Sequence, residues 1–209
     1  HRALSDGLAK PVGILNLGGV ANITAIGSDG SLVAFDTGMA SGLIDNWMQA
    51  HGDAAYDAGG ATAAQGQVDE ARLAAMMADP WFAAPPPKSI DREAFTISPV
   101  EGLPLADGAA TLTAFSAQAV ARGVDHLPER PARIYVAGGG RHNATLMAML
   151  AARTGADVRS VDELGWDGDA LEAQGFAYMA VRHLNGLPIS FPGTTGAPEP
   201  MTGGVLFQP

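Results

Sequence analysis

Four short stretches carry residue types and spacings that could do chemistry. In Asn16-Leu17-Gly18-Gly19-Val20-Ala21-Asn22, two glycines sit between two side-chain amides. A Gly-Gly tip has no side chains to hold an anion away and allows φ > 0, so its N–H groups can converge on a phosphate while Asn16 and Asn22 donate from the flanks. The same dipeptide also builds an ordinary tight hairpin, and the glycines alone leave both readings open. In Phe35-Asp36-Thr37-Gly38 an aspartate closes an apolar run. Such a carboxylate accepts a proton from water or a hydroxyl, or holds Mg²⁺ through a water; it serves equally as a cap for the next turn. Val136-Ala137-Gly138-Gly139-Gly140-Arg141-His142-Asn143 reads as buried strand, triple glycine and helix start, with Asn143 as the cap. Bare backbone there admits a flat base or ribose, although a plain strand–turn–helix junction has the same pattern. Neither GxGxxG nor Gly-Lys-Ser/Thr is present. Glu172, in Glu172-Ala173-Gln174-Gly175-Phe176-Ala177, is a carboxylate among small and apolar neighbours, facing either solvent or a cleft. Pro85-Pro86-Pro87-Lys88-Ser89-Ile90-Asp91-Arg92-Glu93 reads as a rigid surface loop that orders a helix start.

The elements that must position these groups follow from periodicity. Val12–Leu17, Val20–Ile26 and Ser31–Phe35 are strands by their apolar and β-branched runs, the first two joined only by Gly18-Gly19. Leu43, Ile44, Trp47 and Met48 form one helical stripe that ends at Gly52. Further helices are expected over Thr62–Ala78, stopped by Pro80, and over Asp107–His126. Then come a strand at Arg133–Ala137, a helix at Asn143–Arg153, a strand at Asp157–Val161, a helix at Ala170–Leu184 and a Pro/Gly-rich tail. The order β-β-β-α-α-α-β-α-β-α is not that of a Rossmann unit. It fits one lobe of the two-lobed fold of actin, Hsp70 and hexokinase. The expected class is α/β, an actin-like ATPase (ribonuclease-H-like) lobe: a mixed sheet with three leading antiparallel strands, then parallel strands, and helices on both faces.

Composition narrows the function classes. The 209 residues are 47% hydrophobic and 16% charged, which is the profile of a globular chain with a real core. Glycine accounts for 27 of them, roughly twice the usual ~7% share, as expected where backbone must approach a ligand. A net charge of −10 argues against a nucleic-acid or anionic-membrane partner, since both need a basic face. It leaves room for a phosphorylated small molecule held by backbone N–H groups and a metal ion. With no cysteine, disulfides and thiolate metal sites are excluded. The histidines His1, His51, His126, His142 and His183 show no pair at helical metal-ligand spacing, so no zinc site is expected and no protein metal ligand is assigned. No apolar run reaches ~20 residues, no secretory signal opens the chain, and a cytoplasmic location is expected.

Taken together and in order, NLGGVANIT, FDTG followed by LIDNW, YDAGG, PPKSIDREAF, ATLTAFSAQ, VAGGGRHNATLM, LGWDGDALEAQGFAYMAVR and a late TGA resemble the anhydro-N-acetylmuramic acid kinase family over nearly the whole chain. The resemblance implies a kinase that uses water to open 1,6-anhydro-N-acetylmuramic acid while the γ-phosphoryl group of ATP passes to O6. The products are N-acetylmuramic acid 6-phosphate and ADP, in peptidoglycan recycling. It implies Asp36 as general base, with Asp36 and Glu172 at the sugar. Gly18, Gly19, Asn16, Asn22, Thr37 and Gly38 would serve the phosphates, and Gly138, Gly139, Gly140 and Asn143 the nucleoside. ATP and Mg²⁺ are the implied cofactors, and a homodimer is expected at full length. The sequence departs from the family pattern at Met39, Ala40 and Ser41, where Pro, a small residue and Asn are usual. Family members also carry a preceding lobe with a Ser-Gly-Thr-Ser loop, so residues 1–209 are expected to be a C-terminal ATP-binding lobe that is inactive alone. Two readings compete. One is another ATPase of the superfold, acetate-kinase-like or chaperone-like; the other is a non-catalytic nucleotide sensor or interaction module.

Overall fold

The structure, a computed structural model, describes residues 1–207; Gln208 and Pro209, the end of the expected tail, lie outside them. One five-stranded sheet organises the chain, in the order β3-β2-β1-β4-β5. β1 (Val12–Leu17), β2 (Val20–Ile26) and β3 (Leu32–Met39) form an antiparallel meander. β4 (Arg133–Ala137) and β5 (Asp157–Ser160) add in parallel on the other side of β1. Among the described residues six helices accompany the sheet: α1 (Ser41–His51), α2 (Glu70–Met77), α3 (Leu105–Asp125), α4 (Ala144–Thr154), α5 (Leu171–Leu184) and the short α6 (Pro192–Thr195). The expected α/β class and the three-antiparallel-then-parallel sheet are what the chain forms.

The period-2 alternation of strands explains the layering. Leu15, Leu17, Ile23, Phe35, Ile134 and Val136 point to one face and pack on Ala117, Val120 and Val124 of α3 and on Leu146 and Leu150 of α4. Val12, Ile14, Ile26, Tyr135 and Ala137 point to the other. That face is covered by Val161, in the short 3₁₀ turn after β5, and by Leu171 at the start of α5. A second core beyond the end of β3 joins α1, α2 and α3 through Leu43, Trp47, Leu73, Leu112 and Phe115. α3 contributes to the Leu15–Leu17 face and to this second core, with residues on every side of it buried. A helix buried all round needs small residues where neighbours come close. Gly108 meets Trp47 and Gly123 meets Thr37 for this reason.

Three local expectations fail. The helix expected over Thr62–Ala78 is broken into 3₁₀ turns at Ala58–Gly60 and Ala63–Gln65, and α2 starts only at Glu70. Gly66 is extended, and a Cβ there would stand 2.0 Å from the Ala106 carbonyl oxygen, so tertiary contact overrides the helical pattern. Asp69 then caps α2 by accepting from the Arg72 N–H at 3.0 Å. β3 does not stop at Phe35: it runs on to Met39 and pairs with β2 across a bulge at Ala21/Asn22. The Pro85–Glu93 loop orders no helix; its Lys88 carbonyl instead accepts from the Asp36 N–H at 3.0 Å.

Gly108→Ala tests the close packing of α3. Alanine gains up to ~1 kcal/mol of helix propensity over glycine. A Cβ at Gly108 would lie 2.3 Å from the Trp47 ring, whose Nε1–H is pinned to the Leu105 carbonyl at 2.9 Å. Overpacking of about 1–3 kcal/mol therefore outweighs the propensity gain. Chemical denaturation should show a lower midpoint for the variant; an unchanged or raised midpoint would contradict this packing.

Candidate functional site

The apolar face made by Val12, Ile14 and Ile26 changes character one residue pair further along. There the register places Asp36 opposite Asn22, Asn22 opposite Asn16, and Asn16 beside Ala137. Strand alternation puts Asp36, Asn22 and Asn16 on the same face as Ile14, in one row across three strands, with neighbours on paired strands roughly 5 Å apart. Because β3 continues to Met39, Asp36 is a mid-strand residue and its carboxylate projects from the sheet rather than capping a turn. The carboxylate is half-buried and accepts from the Ile90 N–H at 2.9 Å. Burial raises its pKa above the ordinary aspartate value, with the Ile90 N–H pulling the other way. The Pro85–Glu93 loop thus holds Asp36 from both its own backbone N–H and its side chain.

Two cavities open at this level. One, of about 550 Å³, contains Asn16, Asn22, Ala137, Glu172 and the apolar side chains of Phe176 and Met179. Asp36 stands next in the row beyond Asn22. Glu172 comes from the first turn of α5, where it is exposed and lines the same cavity as Asn16 and Asn22. The other cavity, of about 580 Å³, contains Gly18, Gly19, Gly139, Gly140 and Asn143 together with Asp45. These two glycine segments are ~120 residues apart in sequence, and the parallel pairing of β1 with β4 ends both strands at the same height. The fit is tight. Gly138 has φ +79°, and a Cβ there would come within 2.6 Å of both Asn16 Oδ1 and the Leu17 carbonyl.

Local hydrogen bonds define what each segment can offer. The Gly18 N–H closes the hairpin on the Val20 carbonyl at 3.3 Å. The Gly18 and Gly19 carbonyls accept from Ser41 and Ala40 at 3.0 and 2.9 Å, which holds the start of α1 where no side chain caps it. The tip is therefore bare backbone fixed against α1. Asn143 caps α4, its Oδ1 accepting from Leu146 at 2.9 Å. Thr145 of the same turn donates to the Gly60 carbonyl at 2.7 Å, which draws the Asp57–Gly60 segment to the cavity rim. Asp57 is buried and spends its carboxylate on the Thr62 and Ala63 N–H groups.

The structure divides the sequence candidates into three sets. Asn16 and Asn22 share the cavity of Glu172 rather than that of the glycines. Gly18, Gly19, Gly139, Gly140 and Asn143 share the other, and Gly138 forms the wall between them. Asp36, Thr37 and Gly38 line neither. Thr37 faces α3, 1% exposed, and donates to the Ala21 carbonyl at 3.3 Å. Gly38 packs without a Cβ against Ala119 and Phe82. Sequence reasoning missed Asp45, a half-buried carboxylate in the glycine-lined cavity; burial raises its pKa while the charge of Arg92 lowers it. Its signal was the polar residue inside the apolar Leu43–Met48 stripe. Among the described residues no three acids or histidines cluster as a metal site, and no helix is long and apolar enough to cross a membrane.

The family model described as anhydro-N-acetylmuramic acid kinase matches residues 1–209. The chain belongs to the anhydro-N-acetylmuramic acid kinase family. A family member from Rhizorhabdus wittichii is 60% identical over 210 residues, covering 100% of this chain and 58% of its own length. Kinases of the same name from Acidiphilium cryptum and Caulobacter vibrioides are 52% and 54% identical, with 59% and 55% of their lengths covered. The chain therefore spans less than two thirds of these relatives. Among solved structures, an activator of 2-hydroxyisocaproyl-CoA dehydratase from Clostridium difficile with bound ADPNP aligns with 76% of this chain and 57% of its own. The TM-score is 0.48 and the identity 12%.

The raised pKa of Asp36 sets a stability signature in this kinase-family chain. A carboxyl whose folded pKa lies above its unfolded value stabilises fully only below the unfolded value, ~3.9, and loses that contribution as pH rises through the folded one. At pH 7 Asp36 is thus a cost, and asparagine keeps an oxygen for the Ile90 N–H. Asp36→Asn should melt at the same or a higher temperature than wild type at pH 7, with the advantage shrinking as pH falls toward 4. A variant that melts lower at pH 7 would assign Asp36 a purely structural role.

Proposed function

We propose that residues 1–209 are the C-terminal ATP-binding lobe of a two-lobed sugar kinase acting on 1,6-anhydro-N-acetylmuramic acid. The observation that carries this reading is the pair of cavities that open beside the ends of β1 and β4. One is lined by bare glycine backbone, the other by the Asn16–Asn22 row and Glu172. The first suits a nucleotide, whose phosphates and ribose need close backbone approach; the second suits a hydroxyl-rich ring, which needs amides and carboxylates. Gly18 and Gly19 then face the β- and γ-phosphates, Gly138 to Gly140 and Asn143 the nucleoside, and Glu172 the sugar. Thr37 and Gly38 act on this set from behind, by fixing the strand that carries Asp36.

In the reaction, Asp36 takes a proton from the water that attacks the anomeric carbon. The C1–O6 bond breaks, O6 bonds to the γ-phosphorus, and ADP leaves, giving N-acetylmuramic acid 6-phosphate. A carboxylate with a raised pKa is a better proton acceptor than an ordinary aspartate. The Ile90 N–H holds it in place while this happens. Magnesium would neutralise charge on the phosphate oxygens. One carboxylate in the glycine-lined cavity, Asp45, fits an ion that takes most of its ligands from phosphate and water. On this reading the enzyme works in the cytoplasm, within peptidoglycan recycling, and is a homodimer at full length.

Two measurements test the proposal. In the full-length protein, ADP release should depend on 1,6-anhydro-N-acetylmuramic acid and fall ~10²-fold or more in Asp36→Asn. Turnover that survives the substitution would remove Asp36 as the base, and sugar-independent behaviour of folded enzyme would remove the substrate. Residues 1–209 alone should release no sugar-dependent ADP above background, because one lobe cannot enclose the reacting groups. Appreciable turnover by this lobe would refute the two-lobed assignment.

A further inference from the structure

The two cavities are walled by segments that apolar packing does not hold together. Of α5, which carries Glu172, only Leu171 is buried. The Gly139–His142 turn, which lines the other cavity, begins at Gly138 with positive φ. Arg141 stands between them, its side chain 5% exposed. Nε donates to Asp162 Oδ2 at 3.0 Å. Nη1 donates to the Gly138 carbonyl at 3.0 Å and to Asp169 Oδ1 at 2.6 Å, and Nη2 to Asp169 Oδ2 at 2.9 Å. One guanidinium thus grips the glycine turn, the 3₁₀ turn after β5, and the loop three residues ahead of Glu172. A backbone bond from Gly138 N–H to the Gly168 carbonyl, 3.1 Å, runs alongside. Gly168 must lack a side chain, because a Cβ there would stand 2.6 Å from Arg141 Nε.

Exposed ion pairs between flexible side chains fix little. Asp162 and Asp169 are exposed, but the arginine side of this pair differs: its side chain is buried, its fork to Asp169 is bidentate, and its donors are shared among three separate segments. Both aspartates converge on that one positive charge, and without it they would face each other as like charges. Arg141 itself lines neither cavity.

We infer that Arg141 is a positioning residue that makes the two cavities one site, setting the Gly138–His142 turn and the first turn of α5, with Glu172, as a unit. The inference rests on the function proposed above, in which the turn faces the nucleotide and Glu172 the sugar. Lysine keeps the charge but cannot reproduce the fork, so it does not rescue.

The test compares wild type, Arg141→Lys and Arg153→Ala in the full-length kinase. Arg153 pairs with Gln118 and Glu70, away from both cavities, and serves as the control. In ligand-free hydrogen exchange, Arg141→Lys should lose protection in residues 138–143 and 171–175 together, while the control changes neither. Its kcat per folded enzyme should fall about 10²-fold, the scale of an ångström-sized misplacement, and the control's should not. A purely structural role would lower the melting temperature and leave kcat unmoved. Unchanged exchange at 171–175 overturns the inference, and so does wild-type kcat in Arg141→Lys. If wild type shows no sugar-dependent turnover, the proposed function fails, and the exchange result alone decides the role of Arg141.

Discussion

The parallel pairing of β1 with β4 is the constraint on which everything else depends. It aligns Asn16 with Ala137, so two strands far apart in sequence end at one level and release their glycine segments side by side. Neither segment could form the cavity alone. The Gly18-Gly19 tip is committed by its carbonyls to the start of α1, and Gly138 fits only because it has no Cβ to strike Asn16 and Leu17. The two faces of β1 supply the means of alignment. Leu15 and Leu17 bury against α3 and α4, Val12 and Ile14 against the opposite layer, and a slip of one residue would exchange the faces.

Against that background the polar row is costly. Asn16, Asn22 and Asp36 continue the lines of Ile14, Thr24 and Ala34 on a face that is apolar further back. Apolar residues there would fold at least as well, since a half-buried carboxylate pays desolvation that the single Ile90 N–H only partly offsets. Local rules broken in a row, at strand ends, beside a cavity, are the mark of a site rather than of a core. The bulge opposite Ala21/Asn22 belongs to the same device: Thr37 is the extra residue, on β3, so Thr37 and Gly38 both turn toward α3 while Asp36 stays in the row with Asn22.

Much of this was legible in the sequence where one signal dominated. β1, β2 and β4 have the bounds their apolar runs predict, and Asn143 caps α4 as its position before Ala144 indicates. Legibility failed where distant contacts decided. Nothing local announces that Gly66 abuts Ala106, so the helical pattern from Thr62 misled. The strand character of Asp36-Thr37-Gly38 comes from pairing with β2 and from Lys88, since Thr37 favours a strand but Asp36 and Gly38 on either side of it do not. The site candidates were visible by type, yet their grouping was not. Asn16 and Asn22 flank the glycines in sequence but face away from them in space, because alternation turns them to the sheet face while the tip goes on to α1. Arg141 and Asp45 were hidden as ordinary charges inside motifs read for their glycines and apolar stripe.

α5 shows why charge does the work that packing does elsewhere. Phe176, Tyr178, Val181 and Leu184 are all exposed, and Leu171 alone anchors the helix to the sheet. A helix held at one residue can pivot, and the freedom would be largest at the end that does not carry the anchor. Glu172 is adjacent to the anchor, where a pivot moves it least. The loop before it is tied at Asp167, whose Oδ1 accepts from the Asp169 and Ala170 N–H groups, and at Asp169, held by Arg141. Directional hydrogen bonds fix orientation as well as distance, which apolar contact does not. A carboxylate that must meet a substrate ring at a defined angle is better served by such a tether than by a deeper hydrophobic socket, and the tether leaves the rest of α5 free to adjust.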